Sequence, residues 1–186
     1  MKLMVSGTPG TGKTEVSKLL SEKLKYRLIK INDFAYENDL ITGQDEKRGS
    51  LLVDTKALNK MIKDLEGNLV IEGHMAHLLD AGIVFVLRTN PDILEKRLQE
   101  RNWLPDKINE NVEAEILDVC LKEATDNNKT VYEIDTTEKT PKQTTEIILK
   151  ILKKSKKEID AAKPGSINWQ KHLDNLSKAN PKPLDL

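Results

Sequence analysis

Eight consecutive residues near the amino terminus, Gly7-Thr8-Pro9-Gly10-Thr11-Gly12-Lys13-Thr14, run G-x-x-x-x-G-K-T, the P-loop pattern. Gly7, Gly10 and Gly12 allow the backbone around Thr11 to curl until its N–H groups face phosphate oxygens. Lys13 adds a point charge suited to β- and γ-phosphates, and the Thr14 hydroxyl can ligate Mg2+. An accidental glycine-rich turn is the competing reading, and eight positions in register argue against it. The pattern implies a chain that binds a nucleoside triphosphate.

A P-loop fixes phosphates without choosing a reaction. A second requirement is an acid at the tip of a neighbouring strand, to hold Mg2+ directly or through water. Glu72, closing Leu69-Val70-Ile71, fills that role, unless it is only a charge that ends a strand. His74, two residues on, would then lie beside the γ-phosphate, where an imidazole can orient a water or an acceptor. A third requirement is positive charge on the moving phosphoryl group, which guanidinium forks meet bidentately. Arg88 ends a strand at the carboxyl edge, where ligands of open α/β sheets collect. Arg97 and Arg101, four apart on the next helix, share a face with Leu94 and Leu98. The three arginines are expected to converge on the site.

These residues need elements to hold them. Lys2–Ser6 reads as a buried strand, and Val16, Leu19, Leu20 and Leu24 recur at helical spacing behind the loop. Strand and helix signals then alternate, as in a parallel sheet covered on both faces. Residues 26–31 read as a strand, and Asn32-Asp33-Phe34-Ala35 as a cap and short helix. Residues 37–50 have the polar composition of a lid or substrate loop. Helix returns over 53–65 with Asp54 as cap, and residues 68–72 form a strand. The run 82–87 is expected to be a central strand, with Asn90-Pro91 opening a helix. Residues 102–109 should interrupt the helices as a short lid that excludes water. One long helix, carrying Val112, Ile116, Val119 and Cys120, is expected next, then a strand over 130–135 and a helix over 141–157. Lys163-Pro164-Gly165 breaks the chain. The tail beyond it, with Trp169, Leu173 and Leu176 at i, i+4, i+7, either docks on its own domain or binds a partner.

Composition narrows the classes. With 186 residues the chain is one ordinary domain, and 30 acidic against 30 basic residues suggest neither a nucleic-acid coat nor a membrane-surface protein. From Lys150 onward there are nine lysines against four acids. That basic tail hints at an acidic or RNA-bearing partner, and a solvated helix end explains it equally well. A single cysteine, Cys120, excludes an internal disulfide and fits a reducing, cytoplasmic setting. No apolar run approaches the ~20 residues that span a bilayer, and a strand starting beside Met1 leaves no room for a signal peptide.

The P-loop, Val86-Leu87-Arg88, Glu95-Lys96-Arg97-Leu98 and Arg101 resemble nucleoside monophosphate kinases. The chain more closely resembles the adenylate kinase isoenzyme 6 family over about residues 1–150. Asn32-Asp33-Phe34-Ala35, Gln44-Asp45-Glu46, Leu52-Val53-Asp54, Glu72-Gly73-His74 and the run 107–116 carry that likeness. Residues 164–169 look like an extension seen in archaeal members. The resemblance implies a three-layer α/β P-loop NTPase fold with a five-stranded parallel sheet. It implies a monomeric kinase domain over residues 1–158, with a monophosphate-binding insert at about 32–53 and a short lid at about 101–110. A tail at 159–186 would complete the chain. It places Gly10, Gly12, Lys13, Thr14 and Glu15 around ATP phosphates, with Arg101 over the nucleotide. AMP would meet Asn32, Asp33, Tyr36 and Arg88. The family phosphorylates AMP from ATP with Mg2+, hydrolyses ATP, and binds a small-subunit ribosomal protein while the pre-ribosomal small subunit matures. No DNA or membrane partner is implied.

Two departures bear on the reaction. Many members place Asp where Glu72 stands, in D-x-H, and the extra methylene favours reaching Mg2+ through water. Ordinary adenylate kinases carry Arg three residues after the Asp of the insert, where this chain has Tyr36. A phenol offers one hydrogen bond and no charge, which tilts the balance from kinase towards ATPase. Two readings follow: an AMP kinase, or an assembly factor whose ATP hydrolysis resets a partner as the lid or insert orders and releases. A small-molecule kinase such as a shikimate kinase stands third, for want of a Gly-Gly-Gly acid-binding loop.

Overall fold

A computed structural model describes residues 1–45, 50–80, 82–127 and 130–179. Five strands form one parallel sheet: β1 (Lys2–Ser6), β2 (Arg27–Lys30), β5 (Leu69–Glu72), β6 (Ile83–Arg88) and β7 (Thr130–Asp135), in the order β2-β5-β1-β6-β7. β3 (Ile41–Asp45) and β4 (Ser50–Val53) make a separate antiparallel pair. The helices are α1 (Lys13–Leu24), α2 (Ile31–Glu37), α3 (Thr55–Asp64), α4 (Pro91–Gln99), α5 (Pro105–Ile116), α6 (Val119–Asp126), α7 (Pro141–Leu152), α8 (Lys156–Ala161) and α9 (Gln170–Ala179).

Side chains alternate across each strand, so both faces of the sheet need cover. Met4, Ile71, Val84 and Val86 pack with Phe34, Leu58, Ile62 and Leu121 on one face. Leu3, Val5, Phe85 and Leu87 pack with Val16, Leu20 and Ile148 on the other. The result is the three-layer sandwich that the alternation of elements predicts. β1 is its middle strand, so the P-loop leaves from the centre of the carboxyl edge. Caps fix where the helices begin. The Asp54 carboxylate accepts from Lys56 N and Ala57 N, and Thr140 with Gln143 closes a reciprocal capping box.

Several expectations change. The polar insert contains a β-hairpin rather than only loop, with β4 pairing antiparallel to β3 through Gly43 to Leu52 and Gln44 to Leu51; Glu46 of the insert lies outside the described residues. Asn32 sits inside α2, whose cap position is Lys30. β6 is an inner strand but not the middle one. Pro105 does not break a helix: it is the first residue of α5, where a proline is pre-shaped for the role. Residues 105–110 are therefore helical, and Ile108 packs on Leu94 and Leu98 of α4. The long helix after it splits at Asp118, whose φ of 58° is left-handed. Its carboxylate is held by Arg88, 2.5 Å away. The helix over 141–157 ends at Leu152 and restarts as α8, with Lys154 at φ 62°. α9 lies against α5, and its His172 Nε2 stands 3.2 Å from Asp92 Oδ1 of α4.

Candidate phosphate-binding site

The P-loop is shaped by what it leans on. Gly7 has φ 134°, and a Cβ there would stand 2.3 Å from the Leu87 carbonyl oxygen. Gly10 has φ 95°, and its Cβ would meet Leu94 Cδ1 at 2.7 Å. The loop thus needs glycine both for its left-handed turns and for the close approach of β6 and α4. Gly12, in the left-handed region, hands the chain into α1 with no side-chain cap. The first N–H groups of the helix and its partial positive charge therefore face the cleft.

A cleft of about 350 Å3 opens there, lined on one side by Gly10, Gly12, Lys13, Thr14 and Glu15 and on the other by Lys30, Asn32, Asp33, Glu72, His74 and Arg101. Lys13 is only 8% exposed, and its ammonium donates to the Thr8 carbonyl at 3.0 Å. Burial lowers its pKa to about 8, against the opposing pull of Cys120, Glu72 and Glu115. The Thr14 hydroxyl donates to Glu72 Oε1 at 3.2 Å. Glu72 is brought there because β5 pairs with β1 in the register Val5 to Glu72. His74 follows on the loop beyond. The residue is exposed overall, and desolvation of its imidazole, followed by the Lys13 charge, lowers its pKa to about 4. It is a neutral imidazole at physiological pH.

A second cleft of about 190 Å3 runs behind the loop past Gly10, Thr11 and Gly12 to Thr136 and Lys139, and Arg97 and Arg101 line it. Arg101 lines both clefts. Arg97 donates to Gly10 O at 3.3 Å, Thr136 O at 3.2 Å and Thr137 O at 3.1 Å. Those are neutral acceptors, so its charge is not cancelled by a carboxylate in these contacts.

Arg88 is the correction. It does not reach either cleft, being 1% exposed, and it donates to Glu115 Oε1 at 2.7 Å and Glu133 Oε1 at 2.5 Å as well as to Asp118. The Trp169 ring lies 5.9 Å from its Cζ. Ending a strand at the carboxyl edge did not decide which way the side chain turned; buried carboxylates from α5 and β7 did. Tyr36 is 75% exposed and lines, with Asn32, Asp33 and Leu51, a separate outer hollow rather than the phosphate cleft.

Residues 3–118 match the protein family described as "AAA domain". The chain is 40% identical over 178 residues to the "putative adenylate kinase" of Thermococcus kodakarensis, covering 95% of this chain and 97% of that one. It is 36% identical over 181 residues to the protein of the same description from Methanocaldococcus jannaschii, covering 95% and 98%. The chain belongs to this family. Among solved structures, shikimate kinase from Acinetobacter baumannii with bound shikimate aligns with a TM-score of 0.61 at 16% identity, over 82% of this chain and 93% of that one. Deoxyadenosine kinase from M. mycoides aligns with a TM-score of 0.54 at 17% identity, over 83% and 100%. At such identity these two show the fold alone.

Within this member of the family, three site features had no distinct sequence signal. Lys30 lines the cleft from the end of β2, its Nζ 3.9 Å from Asp33 Oδ2. Glu115 is 1% exposed and accepts from the P-loop Thr8 hydroxyl at 2.6 Å. His77, also buried, sits between Ser6 Oγ and Glu123 Oε2, 2.7 Å from each. The Ser6 hydroxyl in turn donates to the His74 carbonyl at 2.9 Å, so this chain of contacts supports the loop that bears His74. Lys30 and Asp33 are three apart across the β2–α2 junction, where no helical pattern marks the pair; the other two contacts join residues far apart in sequence and leave no periodicity to find.

Proposed function

We propose that the chain transfers the γ-phosphoryl group of Mg-ATP to a nucleoside monophosphate, with AMP as acceptor, and that it also hydrolyses ATP. One observation carries the reading. A single cleft is lined by Lys13, Thr14 and Glu72, by Asn32 and Asp33, and by Arg101. A triphosphate on the loop would thus point its terminal phosphorus at an acceptor on α2, as in-line transfer requires. The relatives' description as "putative adenylate kinase" supports the kinase part of it.

The chain's own groups have separable tasks. The P-loop amides and Lys13 hold the phosphates, the ammonium leaving the Thr8 carbonyl for a phosphate oxygen. Arg97 and Arg101 supply fixed positive charge where negative charge gathers in transfer. Neutral His74 can accept a hydrogen bond from an attacking water or acceptor hydroxyl without adding charge. Thr14 Oγ1 and Glu72 Oε1, two hard oxygens 3.2 Å apart, suit Mg2+, which prefers few protein ligands and completes its shell with phosphates and water. Bound there, the ion would neutralise phosphate charge.

A second reading, an ATPase switch that binds a small-subunit ribosomal protein during maturation of the small ribosomal subunit, is favoured by the acceptor side. Arg88 is turned away from it and Tyr36 stands exposed, which leaves Lys30 and Arg101, besides the P-loop Lys13, as the cations lining the cleft that Asn32 and Asp33 share, among the described residues. A weakly held acceptor leaves water as the competitor. The two readings part in one assay: Mg-ATP with and without AMP, following ADP and free phosphate separately. Two ADP per ATP with no phosphate supports the kinase. Phosphate without AMP, faster with the ribosomal-protein partner, supports the switch. ATP consumption by neither route would remove both. No described helix is long and apolar enough to cross a membrane, and we place the protein in the cytoplasm as a monomer.

A further inference from the structure

Behind the P-loop lies a buried run of charged side chains that phosphoryl transfer does not use. The Thr8 carbonyl accepts from Lys13 Nζ at 3.0 Å and from the Thr11 hydroxyl at 2.9 Å, so it sits at the heart of the loop. The hydroxyl of the same residue donates the other way, to Glu115 Oε2 at 2.6 Å. Glu115 Oε1 accepts from Arg88 Nε at 2.7 Å and from Thr89 N at 3.1 Å. Arg88 Nη1 donates to Glu133 Oε1 at 2.5 Å. Glu133 Oε2 then accepts from two main-chain amides of the carboxyl-terminal segment, Gly165 N at 2.9 Å and Ile167 N at 3.3 Å. Thr8 is 2% exposed, and Glu115, Arg88 and Glu133 are each 1% exposed. The path therefore joins the exposed Gly165 and half-buried Ile167, beyond the chain break, to the atom beside the reactive lysine through four buried side chains.

Charge makes the path sensitive. Glu115, Glu133 and Asp118 face one guanidinium, and buried carboxylates are tolerable only while hydrogen bonds satisfy their remaining lone pairs. The Gly165 and Ile167 amides do this for the outer oxygen of Glu133, and the Trp169 ring lies beside Arg88. When that segment leaves, Glu133 loses those donors and competes for the Arg88 fork. Glu115 is then held less firmly, and so is Thr8. We infer that the Glu115–Arg88–Glu133 cluster is a positioning relay that couples docking of residues 163–179 to the shape of the P-loop through the Thr8 hydroxyl. Docking of the segment would tighten ATP, and ATP would tighten the segment, by the same factor. The inference rests on the reading that this loop binds ATP.

The test uses the full chain and calorimetric titration with a non-hydrolysable Mg-ATP analogue. Thr8→Val keeps shape and removes the donor, and should weaken binding about tenfold, the scale of a hydrogen bond to a charged acceptor. Thr8→Ser should restore most of the loss. Trp169→Ala should weaken binding about threefold by loosening the segment. In the double variant the Trp169→Ala effect should vanish, because the path is already cut. Thr8→Val binding like the parent, or factors that simply multiply in the double variant, would overturn the relay. In the unmodified chain, hydrogen exchange at the Gly165 and Ile167 amides should slow when the analogue binds; unchanged exchange also overturns it. Lys13→Ala separates the levels: if the parent binds no analogue, the function assigned above fails, whereas loss with Lys13→Ala but not with Thr8→Val sinks the relay alone.

Discussion

The two ends of the cleft are built differently. At the phosphate end, Lys13 and Thr11 are buried, and the loop is clamped by β6, α4 and Glu115. At the acceptor end, Asn32 and Asp33 are exposed on the short helix α2, Tyr36 is open to solvent, and β3 and β4 form a hairpin apart from the main sheet. The rigid end does what every substrate needs, which is to hold a triphosphate with preset dipoles. The open end meets the variable component, whether monophosphate, water or protein. A preorganised anion site gains most of its strength by paying no reorganisation on binding. An exposed hairpin carries few buried contacts and belongs to the part of the fold that yields most readily.

The contrast can be broken at its strong end first. Lys13→Ala should cut ATP turnover by about a hundredfold or more, as loss of a transition-state donor does; activity within a few-fold of the parent would remove the phosphate end from the mechanism. The arginines come next, and their effects should diverge. Arg101→Ala should lower turnover about tenfold or more while the melting temperature hardly moves, because the residue is exposed at the mouth of both clefts. Arg88→Ala should instead unfold the protein more readily, by about 3–5 kcal/mol, since it strands buried carboxylates. A stable Arg88→Ala protein with selectively lost AMP affinity would return Arg88 to the acceptor site.

Titration sharpens the same contrast. The unliganded Lys13 loses its proton near pH 8, so ATP affinity should fall above that pH, by up to about tenfold per unit. For the free protein the sign for stability is opposite. Between pH 8 and the ordinary lysine value the unfolded chain binds more protons at this site, so Lys13 makes stability rise with pH there. His74 is neutral down to about pH 4. The rate profile should therefore show no limb near the ordinary histidine value. Between that value and pH 4 the unfolded chain again binds more protons, so His74 contributes a loss of stability as pH falls. A rate limb near pH 6.5 would show that another group, or a repositioned His74, carries the proton. The smallest effect is expected at the open end. Tyr36→Arg should lower the KM for AMP a few-fold and shift product from phosphate towards ADP; an unchanged ratio would mean that this hollow is not where the monophosphate phosphate binds.

Legibility followed range along the chain. β7 falls on the expected residues 130–135, and Asp54 caps α3 as read, because a strand of alternating residues and an Asx cap are local events. Helix ends were poorer where a distant partner intervened. The helix predicted to run through Val119 breaks at Asp118, whose carboxylate is taken by Arg88, thirty residues away in sequence. The lid expected at 102–109 became largely the first turns of α5, since Pro105 starts a helix as readily as it stops one. Arg97 and Arg101 do line the clefts, but not from one helical face: α4 ends at Gln99, and Arg101 reaches the site from the turn beyond it. Arg88 had an equally good position in the pattern and a different fate.

The sequence alone determined the P-loop, the parallel sheet behind it and the candidate metal pair Thr14 and Glu72, since glycine spacing, alternating apolar residues and a strand-ending acid act through the backbone over short range. Tertiary structure decided which charges serve the cleft and which are spent inside the fold. Whether a guanidinium is free depends on carboxylates from other elements. Only the packed chain brings Glu115 and Glu133 to Arg88 while leaving Arg101 at the open edge.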